Sequence, residues 1–137
     1  MLIEHINISG PSELLAELKA FYCELFGLVE GYRPNFSRKG YWLYSADKAL
    51  IHLTESDKHY GSEKPGYLDH IAFQITGLKE FISKLKKMDI EYTVDHLADI
   101  GMTQLFFKDP ADIGVEANFL YEIISSKYKQ LKNTRVR

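Results

Sequence analysis

A chain of 137 residues, 45% hydrophobic and 26% charged, has an ordinary globular composition and the length for one domain or two tightly fused half-domains. That excludes a disordered, collagen-like or disulfide-framework protein. Lys and Arg number 17 against 19 Asp and Glu, a formal charge of −2, so bulk electrostatics lends nothing to a nucleic-acid partner.

Leu2 to Ser9 alternates and is β-branched, which predicts a strand with His5 and Asn7 on one face and Ile6 and Ile8 on the other. Gly10 and Pro11 end it. Ser12 is the expected N-cap of a helix in which Leu14, Leu15, Leu18, Phe21, Tyr22, Leu25 and Phe26 recur at helical spacing until Gly27 stops it. Strands are expected near Leu28 to Arg33, Tyr41 to Ser45 and Ala49 to Thr54, the second of them carrying Trp42 and Tyr44. A polar loop from Glu55 to Gly66 follows. The order then restarts with a strand over Leu68 to Ile75 and a helix over Leu78 to Met88. Strands close it at Glu91 to Val94, Thr103 to Phe107 and Val115 to Phe119. Each half therefore reads βαβββ. The expected organisation is module one over 1–56, a connecting loop over 57–66 and module two over 67–122. A basic extension over 123–137 ends in KYKQLKNTRVR.

The internal repeat is the most informative feature. Glu4-His5-Ile6 matches Asp69-His70-Ile71, 65 residues on, and His52 on the fourth strand of one half matches Glu116, 64 residues on, in the other. If the halves pack about a pseudo-twofold axis, His5, His52, His70 and Glu116 converge as imidazole and carboxylate ligands for a divalent first-row transition ion, with Zn, Ni, Mn and Fe left open. Alternation puts Asn7, Leu50, Thr54, Ala72, Gln74, Gly114 and Asn118 on the ligand face. Ile6, Ile8, Ile51, Leu53, Ile71, Phe73, Ile75, Val115 and Phe119 fall on an apolar face that can pack beneath the helices. Asn7, Gln74 and Asn118 are thus candidate substrate-binding residues, and Arg33, read as ending the second strand, is a candidate for facing an anionic substrate. His59 and His96 read as surface histidines. Cys23, in the amphipathic helix with no base near it in sequence, reads as an inert thiol.

The sequence resembles the vicinal oxygen chelate superfamily, which includes glyoxalase I, methylmalonyl-CoA epimerase, extradiol dioxygenases and fosfomycin-modifying thiol transferases. The likeness covers residues 2–120 through IEHINIS, FYCELFGL, GYWLYSADKALIHL, LDHIAFQI and QLFFKDPADIGVEANF. It implies an α+β glyoxalase-like fold of two tandem βαβββ modules, their cupped mixed sheets set around a metal. His5, His52, His70 and Glu116 stand where members commonly carry ligands. Two departures stand out: DPADIG, with Asp112 where the family often has glycine, and His52 where the glyoxalase I pattern usually has a carboxylate. The resemblance implies a metal-dependent lyase or isomerase that chelates two adjacent oxygens of a small substrate and stabilises an enediolate, with Glu116 as general base. Its alternatives are an extradiol-type dioxygenase on a His5, His70 and Glu116 triad, a fosfomycin-type thiol transferase, or a non-catalytic binding or resistance protein.

A homodimer is expected from open sheet edges and from the family's habit. No apolar run approaches the roughly 18 residues of a membrane span, the start lacks a signal-peptide pattern, and the lone Cys23 suits a reducing compartment, so a cytoplasmic protein without a membrane partner is expected.

Overall fold

The computed structural model describes residues 1–124; most of the expected basic extension, from 125 on, lies outside the described residues. The chain divides into two compact units, Met1–Lys64 and Pro65–Arg137.

In the first unit, β1 (Ile6–Gly10) leads through α1 (Ser12–Phe26) to β2 (Val29–Gly31), β3 (Gly40–Ser45) and β4 (Lys48–Glu55). The sheet order is β1-β4-β3-β2, with β1 parallel to β4 and the remaining pairs antiparallel. Parallel pairing of the first strand with the last requires a long crossover, which the helix and two further strands provide. The apolar stripe of α1 buries Leu15, Leu18, Phe21, Tyr22 and Leu25. On the sheet, Ile8, Leu43, Ile51 and Leu53 are buried as well, so the predicted apolar face is the core face. Gly27 ends α1 at φ 69°, a left-handed position that glycine adopts without penalty.

The second unit repeats the plan: β5 (His70–Gln74), α2 (Leu78–Lys87), β6 (Thr93–Leu97), β7 (Met102–Lys108) and β8 (Gly114–Leu120), with a short 3₁₀ turn at Ala98–Ile100. Its order is β5-β8-β7-β6, again with the outer pair β5 and β8 parallel. Leu78, Phe81, Ile82 and Leu85 of α2 are buried. Phe81 packs its ring against Phe119 at 5.4 Å and Phe107 at 5.8 Å, seating α2 on β7 and β8. This is the α+β fold of two βαβββ modules.

Several local expectations are corrected. Ser12 is the first helical residue of α1 rather than its N-cap; Pro11 holds the cap position and no side chain caps the helix. The second strand stops at Gly31, so Arg33 lies in the loop beyond it. β6 begins at Thr93 and runs on to Leu97, which puts His96 on a strand, exposed, with Nδ1 3.3 Å from Thr103 Oγ1. The first N–H groups of α2 are capped from a distance: the Glu122 carboxylate accepts from Gly77 N and Leu78 N at 3.0 and 2.8 Å, satisfying donors that every helix start leaves open.

The turn between β7 and β8 fixes the register of Glu116. Asp109, buried, accepts through Oδ1 from Ala111 N at 2.8 Å and Ile113 N at 3.1 Å. Asp112 takes φ 62°, the left-handed conformation expected where the family often has glycine. Asp109→Ala strands two backbone donors and should destabilise the protein by about 1–3 kcal/mol in denaturant titration. Asp112→Gly, which relieves the left-handed strain and gives up only an exposed contact with Lys108 at 3.8 Å, should stay within about 1 kcal/mol of wild type.

Candidate metal and substrate site

The parallel outer pairs bring first-strand and fourth-strand side chains together within each unit. In the second unit His70 pairs with Gly114 and Ala72 with Glu116, so Glu116 stands diagonally from His70 on one face. A Cβ on Gly114 would sit 2.4 Å from Asp69 O; only glycine allows the β5 backbone to come this close and hold His70 in place. Glu116 is 4% exposed. Its Oε2 accepts from Asn118 Nδ2 at 2.9 Å and Gln104 Nε2 at 3.1 Å, and its Oε1 stands 3.5 Å from His70 Nε2.

The tautomer of His70 gives that distance its meaning. Nδ1 lies 2.7 Å from Asp69 Oδ2, and an ionised carboxylate only accepts, so Nδ1 carries a proton and Nε2 is the nitrogen turned to Glu116, as a donor in the imidazolium or as a lone pair in the neutral ring. Either a proton on Nε2 or a cation in its place can stand between this nitrogen and the Glu116 oxygen. Donors about 2.0–2.1 Å from one tetrahedral ion stand about 3.4 Å apart, close to the 3.5 Å found. The pair fits a divalent ion.

The first unit repeats the orienting contact, with His5 Nδ1 2.9 Å from Glu4 Oε1, which again puts a proton on Nδ1 and leaves Nε2 as the nitrogen that could ligate. A carboxylate holding the outer nitrogen of a histidine is the usual support of a metal-ligating ring. His52 is arranged differently. Its ring lies between His5, at a centroid distance of 3.7 Å and 11° from parallel, and Trp42, at 4.0 Å and 12°. Its Nε2 sits 3.1 Å from the Ala49 carbonyl oxygen, which makes Nε2 the donor. Imidazoles bind metals in the ring plane, and two stacked rings project their lone pairs side by side. One ion shared by His5 and His52 therefore requires a ring to leave the stack.

Among the described residues no group of three or more His, Cys, Asp or Glu side chains is assembled to hold a metal ion; each unit presents a pair. The other candidates are placed as follows. Asn7 accepts from Thr54 Oγ1 at 2.8 Å and donates to Ser9 at 3.0 Å. Asn118 holds Glu116 and accepts from Gln104 at 3.1 Å, and Gln74 is exposed on β5. Glu4, Asp69 and Gln104 are site residues that sequence reasoning missed. For the first two the signal was present, since an acid precedes the histidine in both halves of the repeat. Cys23 is half-buried, and burial raises its pKa, in keeping with an inert thiol.

Burial, and next the neighbouring His5, lower the pKa of His52, partly offset by its bond to Ala49. A base with a depressed folded pKa binds fewer protons folded than unfolded. The stability it contributes is complete above its ordinary value of about 6.5 and falls as pH drops toward the depressed value. In metal-free protein, NMR titration should find His52 titrating below 6.5, and the thermal midpoint should fall with pH across that window less steeply in His52→Gln than in wild type.

No protein-family model and no curated protein matches the sequence; the likeness is to solved structures. A glyoxalase family protein from Bacillus anthracis is 26% identical, with a TM-score of 0.69 over 88% of this chain and 95% of that one. A glyoxylase/bleomycin resistance protein/dioxygenase domain from Frankia sp. EAN1pec is 21% identical, with a TM-score of 0.70 over 89% and 93%. The fosfomycin resistance protein FosX from Listeria monocytogenes, in complex with Mn(II) and sulfate, is 20% identical, with a TM-score of 0.62 over 95% and 99%. The paired βαβββ units thus share the glyoxalase-like fold of these vicinal oxygen chelate proteins.

Proposed function

We propose that the protein is a metal-dependent lyase or isomerase of the glyoxalase type, acting on a small substrate with two adjacent oxygens. Its metal ligands are His5, His70 and Glu116, with His52 as a fourth when its ring leaves the stack. The observation that carries the reading is the spacing of His70 Nε2 and Glu116 Oε1, 3.5 Å, with Asp69 orienting the ring and Gln104 and Asn118 the carboxylate. An imidazole and a carboxylate oriented in this way by second partners support a reading as metal ligands. The Mn(II) complex of FosX supports a divalent ion of the Zn, Ni, Mn and Fe group.

When bound, the ion supplies Lewis acidity to the chelated oxygens and acidifies the neighbouring C–H. Glu116, with Oε1 released from the ligand position, would serve as the general base for that proton. The amides of Gln104 and Asn118 keep Oε2 occupied, so the carboxylate presents one oxygen in one orientation. Asn118, first read as a substrate contact, serves here mainly to position the base. Asn7 and Gln74 remain substrate contacts in this reading, and the assembly is a homodimer.

A second reading is favoured by the His52 stack. If His52 stays between His5 and Trp42, three ligands remain, as in an extradiol-type dioxygenase or a fosfomycin-type transferase, and more coordination places stay open for co-substrate. Spectroscopic determination of the coordination number in the Mn2+ or Fe2+ complex separates the two.

At a pH where His70 is neutral, Glu116→Gln should turn its carbonyl oxygen toward Gln104 and Asn118 and its NH2 toward His70 Nε2, giving a hydrogen bond between them. Melting of the metal-free variant should then occur at or above the wild-type temperature, while the upward shift given by Mn2+ is largely lost. An undiminished Mn2+ shift would remove Glu116 from the ligand set. Turnover of the metal-loaded variant, on whichever vicinal-oxygen substrate proves active, should fall at least about a hundredfold. Asp69→Ala, which releases the orienting contact, should weaken Mn2+ binding about 10- to 100-fold by calorimetry.

A further inference from the structure

On the ligand-bearing face of the first unit the aromatic stack continues past His52. His5, His52 and Trp42 lie ring on ring, Phe36 approaches Trp42 at 6.0 Å, and the Arg33 guanidinium sits over the Phe36 ring at 4.8 Å. The outer part of this row bounds a cavity of about 260 Å³ whose walls include Arg33, Phe36, Arg38, Trp42, His52 and Thr54. Two arginines line it and no acidic residue does. Among the described residues neither arginine pairs with a carboxylate.

Arg33 Nη2 donates to the backbone carbonyl of Arg38 at 3.0 Å, which explains how the loop is braced. It leaves Arg33 Nε buried with no hydrogen-bond partner. A guanidinium offers five donors in a planar fork suited to a carboxylate, and a buried donor without an acceptor is costly. The volume falls just below the usual range for drug-sized ligands, so the occupant is small.

We infer that this cavity holds the carboxylate of a small aromatic or otherwise planar organic acid, its charge against Arg33 and Arg38 and its flat body on the Phe36 and Trp42 wall. Cationic forks fix the charged end, and aromatic faces select a planar body over a bare inorganic anion. The inference deepens the function proposed above and rests on it for calling the occupant a substrate; the binding itself needs no metal.

Trp42 is the single tryptophan of the chain and lies in the wall, so its fluorescence reports occupancy directly. Protein kept metal-free with EDTA is titrated with benzoate, benzamide and inorganic sulfate. Benzoate should give a saturable change, with benzamide and sulfate each at least about tenfold weaker, the scale of a lost charge-assisted contact or of a lost aromatic wall. Arg38→Gln leaves the brace intact because Arg33 grips only the backbone of residue 38, and it should weaken benzoate binding several-fold. Arg33→Met, checked for folding by circular dichroism, should weaken it further. Absence of a saturable benzoate signal, equal affinity for benzamide or sulfate, or unchanged binding in Arg38→Gln overturns the inference. Mn2+ binding measured separately keeps the two readings apart: benzoate failing while Mn2+ binds sinks only the cavity, and the reverse sinks only the metal site.

Discussion

The parallel pairing of the first strand with the fourth is the constraint on which each unit depends. A hairpin cannot make it; the chain must leave the edge of the sheet, cross the apolar face as a helix and return through two antiparallel strands before closing beside its own start. The helix therefore covers one face of the sheet, and the other face is left to the side chains of β1 with β4 or β5 with β8. His5 with His52, and His70 with Glu116, are neighbours for this topological reason, although 47 and 46 residues separate them in the chain.

The same frame carries different chemistry in the two units. In the second, a carboxylate opposite the histidine makes a charged cluster, with its hydrogen bonds drawn inward onto Glu116. In the first, a histidine in the corresponding place has no charge to be held. It is absorbed into a stack with His5 and Trp42, and its nitrogen goes to a backbone carbonyl. The desolvation that lowers the His52 pKa favours the neutral ring. One unit thus concentrates negative charge, and the other offers neutral aromatic surface flanked by arginine.

What the sequence revealed was what has a period or a fixed conformational demand. The repeat, the helical stripe of α1, the strand alternation that buries Ile8, Ile51, Leu53, Val115 and Phe119 and the stop at Gly27 all follow from local rules, and all are present in the fold. The hidden features depend on partners distant in sequence. Ser12 has the right chemistry for a cap, yet the helix begins one residue earlier because Pro11 already supplies the fixed backbone turn. Glu122 caps α2 from 44 residues away, and Gln104 meets Glu116 only through the β7–β8 register. Nor can alternation tell a metal-binding histidine from a stacked one: it places His52 on the right face and says nothing about the rings beside it.

The His52 stack also bears on how chemistry and recognition divide between the units. A ring held between two others loses little by remaining there, because each face keeps its contact and its Nε2 keeps its acceptor. To ligate an ion together with His5 it would have to give up its stacking contacts with His5 and Trp42, while His5 must itself keep Nδ1 on Glu4 to present Nε2. The cost of that rearrangement falls on the residue that also walls the arginine-lined cavity. An occupant packed against Trp42 and His52 would strengthen the stack and hold His52 away from an ion, whereas an ion strong enough to draw His52 out would reshape the cavity wall. With the function and the cavity occupant proposed above, coordination number and occupancy of the cavity would be linked through one imidazole ring, with the sign set by which of its two environments binds more tightly.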